Sequence, residues 1–149
     1  MFQVKINVAS VREAKGKKKV TTPEAVYEAC SDMANFAQEA VVALCLDVKN
    51  KIISKNLITL GLADQSLVHP REVFRNAITE NAHSIIMVHN HPTGETSPSP
   101  EDLRITRQMV DAGRIIGIRV MDHVIIGRSE NDEKPFRSLR ESGFVSFDN

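Results

Sequence analysis

Two histidines separated by one residue, His89 and His91, are the side chains whose types and spacing best suit metal chemistry. They follow the apolar run 84–88, which predicts a buried strand leading straight into His89. Residues two apart on an extended chain point to the same side, so the two imidazoles can converge on one point. Neutral imidazoles are ordinary ligands of zinc. The pair therefore predicts a metal site, although a single histidine at a strand end is usually structural.

Asp102 can supply a third ligand to the same metal. It lies in the first turn of a helix predicted from Pro100 to about Ala112, and the preceding loop can fold that turn back toward His91. Three protein ligands leave one position for water, whose pKa a zinc ion lowers to about 7. Iron in a facial triad uses the same ligand types, so the residue types leave the identity of the metal open.

The segment Ser99-Pro100-Glu101-Asp102 has a second interpretation, as a helix start that needs no metal. Serine is a favourable N-cap, and proline is favourable at the first helical position. On these residue types alone, both interpretations stay open.

The surrounding pattern predicts the elements that must hold these residues in place. Thr22-Pro23-Glu24 has the order typical of a helix start, with a capping hydroxyl, a proline and an acid near the positive end of the dipole. The predicted strands are 2–8, 41–46, 52–60, 84–88 and 117–127, and the predicted helices begin near 22, 70, 100 and 135. Strands interleaved with helices predict an α/β fold, a single-domain α/β sandwich with a mixed β-sheet flanked by helices.

The last long strand, 117–127, contains two polar residues, Asp122 and His123, inside an apolar run. Alternation places Asp122 on one face, together with the apolar residues Ile118, Val120, Val124 and Ile126. We expect each polar residue to meet a buried partner. For Asp122 that partner is either a structural hydrogen-bonding group or an imidazole that ligates the metal.

The composition is that of one globular domain, since 149 residues are enough for a single hydrophobic core. Nineteen basic and nineteen acidic side chains balance, so no strong nucleic-acid binding is expected. The two cysteines, Cys30 and Cys45, are expected to be small core residues in a reducing compartment. No stretch of about 20 apolar residues spans a membrane, and no signal peptide is evident, so a cytoplasmic location is expected.

The arrangement His89-x-His91, seven residues, Ser99, two residues, Asp102 resembles the H-x-H-x(7)-S-x(2)-D signature of the JAMM (JAB/MPN) metalloprotease domain. The wider segments 68–74, 89–92 and 122–127 resemble its RadC-like branch, and the resemblance covers about 38–127. It implies a JAB/MPN-like fold with cytidine-deaminase-like layering. We expect one such domain over 1–149, with its core at about 22–127. Longer members of this branch carry an N-terminal helix-hairpin-helix segment, and this chain resembles the short form without it.

The resemblance also implies a zinc-dependent metallohydrolase, a metallopeptidase or isopeptidase that cleaves an amide bond with a zinc-activated water. Zinc would be held by His89, His91 and Asp102, with Ser99 stabilising the oxyanion. A glutamate from an early strand would be the general base, and the acid just before the strand predicted to begin at 41 is Glu39. The competing glutamates are Glu72, Glu80, Glu95 and Glu101.

Two other functions stay open at this point. The RadC name is associated with DNA repair, which raises a metal-dependent nuclease, but the loop 92–101 contains no basic residue. Many JAB-type domains have lost their metal and serve as binding modules, and those typically lack the His-x-His…Asp set. A peptide or protein substrate is expected, and the sequence gives no indication of the oligomeric state.

Overall fold

A computed structural model of the chain describes residues 18–61, 68–128 and 133–147. In these residues one mixed sheet contains five strands, and three α-helices pack against it. The strands are β1 (Ala40–Leu46), β2 (Ile52–Leu60), β3 (Ser84–Asn90), β4 (Arg119–Ile126) and β5 (Phe136–Ser138). The α-helices are α1 (Pro23–Cys30), α2 (Pro70–Thr79) and α3 (Pro100–Ile116), and a 3₁₀ helix, Ser31–Asn35, follows α1.

The strand order is β2-β1-β3-β4-β5. β1 is antiparallel to both β2 and β3, β3 is parallel to β4, and β4 is antiparallel to β5. The parallel pair is possible because α3 lies between β3 and β4 in the chain and supplies the crossover that parallel neighbours need. The predicted α/β fold with a mixed sheet and flanking helices is therefore confirmed.

The central strands β1 and β3 are buried along their whole length, because helices cover both faces of the sheet. One apolar cluster joins the sheet to α2 and α3 and includes Phe74 and Met109. The other joins the opposite face to α1 and the 3₁₀ helix and includes Met33. Cys30 and Cys45 are buried and form no disulfide, in agreement with their expected role as small core residues.

The helix predicted to end at about Ala112, before Gly113, continues to Ile116. Gly113 is buried within it, and a Cβ there would lie 2.5 Å from the Ile118 carbonyl oxygen, so glycine allows this close approach. The helix ends at Gly117, whose left-handed φ of 83° is typical of a C-terminal cap. A helix can end at either glycine, Gly113 or Gly117, and the close packing of Gly113 against Ile118 explains why this helix continues past the first.

Two further predictions at the end of the chain are wrong. The segment predicted as a helix at 135–141 contains β5, whose Phe136–Ser138 pair with the edge of β4. The prediction that Ile118, Val120, Val124 and Ile126 share one face of β4 is also wrong. The register of β4 on β3 shifts between Val120 and Asp122. Ile118 and Val120 therefore pack with α2 and α3, while Val124 and Ile126 face α1. A bulge explains the change, because one extra residue reverses the alternation beyond it.

The strand predicted at 2–8 lies outside the described residues. Within the described ranges, no helix combines the length and the apolar character that crossing a membrane requires.

Candidate metal centre

His89 reaches the site because alternation along β3 directs it toward α3. Ile85 and Met87 pack into the cluster that contains α2 and α3, and His89, two residues further on, continues the same face. The side chain of His89 is 1% exposed. The strand therefore fixes this imidazole within the core.

His91 lies just beyond β3 and is held by the loop 91–99 (the site loop). Its amide donates to the Ile126 carbonyl at 2.9 Å, and its Nδ1 lies 2.8 Å from the Glu95 carbonyl oxygen. A carbonyl only accepts, so Nδ1 carries a hydrogen, and in the neutral ring Nε2 presents its lone pair. That lone pair faces His89 and Asp102.

Glu39 is placed beside the two histidines by the register of β1 on β3. Val41 pairs with His89 in this antiparallel pair, so continuation of the register sets Glu39 opposite His91 on the same face. Its Oε1 lies 3.4 Å from the His89 Nε2 atom, and its side chain is 29% exposed. Glu39 is thus at the rim of the site, immediately before β1.

Asp102 is positioned by the start of α3. Its amide donates to Ser99 Oγ at 3.0 Å, and its Oδ2 accepts from the Ser99 amide at 2.8 Å, which is a capping box with Asp in the third helical position. The same carboxylate lies 3.2 Å from His89 Nε2 through Oδ1 and 3.1 Å from His91 Nε2 through Oδ2. The two interpretations of this segment, as a helix cap and as a ligand, are therefore compatible.

The structure brings four side chains together, Glu39, His89, His91 and Asp102, with one ligand atom of each within 4.8 Å of all the others. The two Nε2 atoms are 2.9 Å apart. Asp102 Oδ1 is buried and accepts no hydrogen bond from any described residue. An unpartnered buried carboxylate oxygen is costly, and a cation among these atoms would satisfy it together with both imidazole lone pairs. The donor set of two imidazoles and one or two carboxylates fits a metal ion.

The charges of the site support ligation by Asp102. Burial alone would raise the pKa of the Asp102 carboxyl, but its contacts with His89, His91 and the Ser99 amide hold that pKa well below its usual range. Burial favours the neutral form of His91, but the Asp102 carboxylate favours the protonated ring through a hydrogen bond from Nε2 and through its charge, so the pKa of His91 is raised. A metal ion would take the place of that proton on Nε2. Asp102 is therefore a carboxylate at neutral pH, which is the form that binds metals.

The competing glutamates lie elsewhere. Glu80 accepts a hydrogen bond from Ser54, Glu101 pairs with Arg104, and Glu72 pairs with Arg71. Glu95 is in the site loop, but its side chain is exposed. Of the five glutamates considered from the sequence, only Glu39 belongs to the metal-binding group that the described residues form.

Asn90, between the two histidines, has a role that the sequence analysis missed. Alternation turns it to the opposite face, where its Oδ1 accepts from the Ala40 amide at 2.7 Å and its Nδ2 donates to the Gln38 carbonyl at 3.0 Å. These bonds hold the main chain on both sides of Glu39. A polar residue at the end of an apolar strand indicated a buried partner, but its partners are 50 and 52 residues away in sequence.

His123 and Thr106 were also missed as neighbours of the site. His123 Nε2 lies 2.7 Å from His89 Nδ1, and His123 Nδ1 lies 2.5 Å from Thr106 Oγ1. Complete burial lowers the pKa of His123 well below its ordinary value, so the ring is neutral. The polar interruption of β4 was visible in the sequence, but the parallel register that sets His123 beside Met87 and near His89 was not.

Asp122 does not orient an imidazole of the site. Its carboxylate accepts hydrogen bonds from the Ser138 hydroxyl at 2.5 Å and from the amides of His123 and Arg140 at 2.7 and 3.1 Å. Burial nevertheless raises its pKa, because these bonds only partly offset the loss of hydration. Asp122 therefore fixes β5 on β4, and of its two expected partners the structural one is found.

The site loop is attached to the end of β4 by its backbone. The Arg128 amide donates to the Gly94 carbonyl at 2.9 Å, and its guanidinium donates to the Pro92 carbonyl at 2.9 Å. A Cβ at Gly127 would lie 2.2 Å from the Gly94 carbonyl oxygen, so only glycine allows this contact. The loop that carries His91 and Glu95 is thereby held against the sheet.

Comparison with known proteins identifies relatives over most of the chain. A UPF0758 protein of Methanosarcina barkeri is 44% identical over 130 residues, which are 87% of this chain and 55% of that protein. One of Thermotoga maritima is 45% identical over 118 residues, 79% of this chain and 51% of that protein. One of a Geobacillus species, strain WCH70, is 49% identical over 114 residues, 76% of this chain and 48% of that protein.

The chain spans about half the length of the curated relatives it matches. The profile of a protein family described as the RadC-like JAB domain matches residues 20–144. The single domain expected over 1–149, with its core at 22–127 and without a helix-hairpin-helix segment, stays a prediction. The match covers all five strands, the three α-helices and the four-residue cluster, so the chain belongs to the RadC-like JAB domain family.

Proposed function

We propose that the protein is a zinc-dependent hydrolase of amide bonds, with the metal on His89, His91 and Asp102. The observation that carries this proposal is the buried Asp102 carboxylate, whose Oδ1 has no hydrogen-bond partner among the described residues and whose two oxygens face the Nε2 atoms of His89 and His91. Two histidines and one carboxylate are a frequent ligand set of catalytic zinc sites, which keep a further position for water. We propose both the identity of the metal, zinc, and the reaction, amide hydrolysis.

A zinc ion at this site would supply a Lewis acid that acidifies water and polarises the substrate carbonyl. Glu39 is the residue we assign to proton transfer. Its carboxylate is at the rim of the site, 3.4 Å from His89 Nε2, and partly exposed. From there it would take a proton from the attacking water and deliver it to the leaving amine, as a general base and then a general acid.

Ser99 is the residue we assign to the oxyanion. Its oxygen accepts a hydrogen bond from the Asp102 amide, which leaves the hydroxyl hydrogen to donate elsewhere. A donor fixed at a helix start costs little reorganisation during the reaction, and such donors stabilise the charge that develops on a carbonyl oxygen. The assignment makes Ser99 both a helix cap and a catalytic residue.

The substrate we propose is a peptide or a protein carrying an isopeptide bond. We place this activity in the cytoplasm, because the two cysteines are buried without forming a disulfide, as is usual in a reducing compartment. We do not expect strong binding of nucleic acid. Arg128 is close to the site loop, but its guanidinium is engaged by the Pro92 and Ala34 carbonyls.

Elemental analysis of the purified chain tests the site first. We expect close to one zinc per chain, and we expect His89→Ala, His91→Ala and Asp102→Ala each to lose most of it. His83→Ala is the matched control, since this exposed histidine lies at the other end of β3 and outside the cluster. Retention of wild-type zinc by all three variants contradicts the ligand assignment.

The reaction is tested with the zinc-loaded chain on a panel of peptides, isopeptide-linked proteins and duplex or single-stranded DNA. We expect amide cleavage that a chelator abolishes and that zinc restores. Cleavage of DNA together with intact peptides and isopeptides contradicts the proposed reaction and supports the nuclease alternative. Zinc binding without any cleavage supports the non-catalytic binding module.

A further inference from the structure

A buried row of polar groups lies behind His89, on the side away from the other ligand atoms. His89 Nδ1 is 2.7 Å from His123 Nε2, His123 Nδ1 is 2.5 Å from Thr106 Oγ1, and Thr106 Oγ1 is 2.6 Å from the Asp102 carbonyl oxygen. All three side chains are buried. The row therefore connects the back of one proposed ligand to the main chain of another.

The direction of every hydrogen bond in this row follows from its last member. A carbonyl oxygen can only accept, so the single hydroxyl hydrogen of Thr106 points to Asp102. Thr106 Oγ1 must then accept from His123, which places a hydrogen on Nδ1. The ring is buried and its two nitrogens contact only a hydroxyl and another imidazole, so it carries no second hydrogen. His123 Nε2 is left as an acceptor, and His89 must donate to it from Nδ1. In that tautomer His89 Nε2 carries a lone pair, directed at Glu39, His91 and Asp102.

We propose that Thr106 and His123 are positioning residues that fix His89 in the tautomer whose Nε2 lone pair faces the metal site. This inference rests on the proposed function, because the proposed zinc ion is what the His89 Nε2 lone pair would bind. Its basis is the hydrogen-bond geometry, which is independent of any metal. The orientation of metal-binding histidines through their second nitrogen is general, and the partner is usually a carboxylate, a carbonyl or water. Here it is a second histidine, with a threonine and a carbonyl behind it.

The reverse direction of the row fails at Thr106. If His123 donated from Nε2 to His89, its Nδ1 would accept the only hydrogen that Thr106 has. Thr106 Oγ1 and the Asp102 carbonyl oxygen would then be two acceptors 2.6 Å apart. Removal of the Thr106 hydroxyl removes this constraint and leaves His123 Nδ1–H without an acceptor. The hydrogen of His123 is then expected to move to Nε2, which forces the hydrogen of His89 onto its own Nε2.

Thr106→Val is the variant that tests this, because it removes the hydroxyl and nearly keeps the volume. Nitrogen-15 NMR of the zinc-free chain distinguishes the two neutral tautomers of a histidine ring. We expect the hydrogen on Nδ1 of both His89 and His123 in the wild type, and on Nε2 of both in Thr106→Val. We also expect zinc affinity, measured by competition with a chelator, to fall about 10- to 100-fold, as is typical when such a partner is lost.

Two matched variants separate this role from a merely structural one. Thr106→Ser keeps the hydroxyl and should keep both tautomers and the zinc affinity. Thr79→Val removes a similar bond, from a threonine hydroxyl to the carbonyl four residues earlier, on α2 and far from the site. Thr79→Val should change neither the tautomers of His89 and His123 nor the zinc affinity.

The wild-type tautomer decides the proposal even if Thr106→Val does not fold, because a neutral His89 ring with its single hydrogen on Nε2 overturns it. An unchanged tautomer in folded Thr106→Val overturns it as well. If the wild type shows the expected tautomer but binds no zinc, the proposed function fails while the proposed hydrogen-bond direction stands.

Discussion

Ser99 and Asp102 cap the start of α3 reciprocally, each side chain accepting the amide hydrogen of the other residue. The Asp102 oxygen that accepts from Ser99 also lies 3.1 Å from His91 Nε2. The capping box is therefore part of the proposed metal site, because the same two bonds that begin the helix orient the carboxylate ligand. A single residue, Ser99, is in consequence responsible for a structural bond and for a proposed catalytic one.

Ser99→Gly separates these two roles. Glycine is tolerated at an N-cap, so the free energy of unfolding should fall by only a few tenths of a kcal/mol. Loss of the hydroxyl donor should lower kcat by about a hundredfold or more, as for other oxyanion donors. Thr22→Gly is the matched control, since Thr22 caps α1 through the Ala25 amide and is remote from the site. Equal kcat in the two variants would limit Ser99 to capping.

Asn90 is expected to act on the reaction through Glu39, since it bonds the backbone on both sides of that residue. Asn90→Asp keeps the acceptor for the Ala40 amide but replaces the donor to the Gln38 carbonyl with a second acceptor. We expect Glu39 to be displaced, with kcat lower by about 10- to 100-fold and zinc content unchanged.

Amide hydrogen exchange is a second measurement on Asn90→Asp. Faster exchange at the Ala40 amide would show directly that the backbone around Glu39 is held less tightly. Asn56→Asp is the control, as Asn56 donates to Ser54 on β2, away from the site. An unchanged kcat and unchanged exchange at Ala40 would show that the two bonds are dispensable for holding Glu39.

The parts of the site that could be predicted from sequence depend on local geometry or on a fixed spacing. The convergence of His89 and His91 needs only the two-residue period of a strand. The placement of Asp102 in a helix start follows from Ser99 and Pro100, which are local signals. Glu39 was reached through the family resemblance, and the structural reason for its position is the register of β1 on β3.

The missed parts depend on contacts between residues far apart in the chain. His123 meets His89 only because β4 lies parallel to β3, and the bulge before Asp122 sets which residues of β4 face the site. The helix predicted at 135–141 was wrong for the same kind of reason. Its residues pair with the exposed edge of β4, and that pairing outweighs local preference.

Glu39→Gln tests the assignment of the general base. Glutamine keeps the size and polarity of the side chain but cannot take a proton, so kcat should fall by about 10² to 10⁴. If Glu39 is only a base, zinc content should remain near one per chain. Because its Oε1 belongs to the same cluster as the three proposed ligands, a role as a fourth ligand is the direct competitor.

Zinc affinity distinguishes the two roles of Glu39. A base that does not bind the metal leaves the chelator-competition constant of Glu39→Gln near that of the wild type, whereas a lost ligand weakens it together with kcat. Glu95→Gln is the control, because Glu95 is in the site loop with an exposed side chain and acts on His91 only through its main-chain carbonyl. It should retain both zinc and kcat. If Glu95→Gln loses activity while Glu39→Gln keeps it, the base is in the loop and the assignment to the start of β1 is wrong.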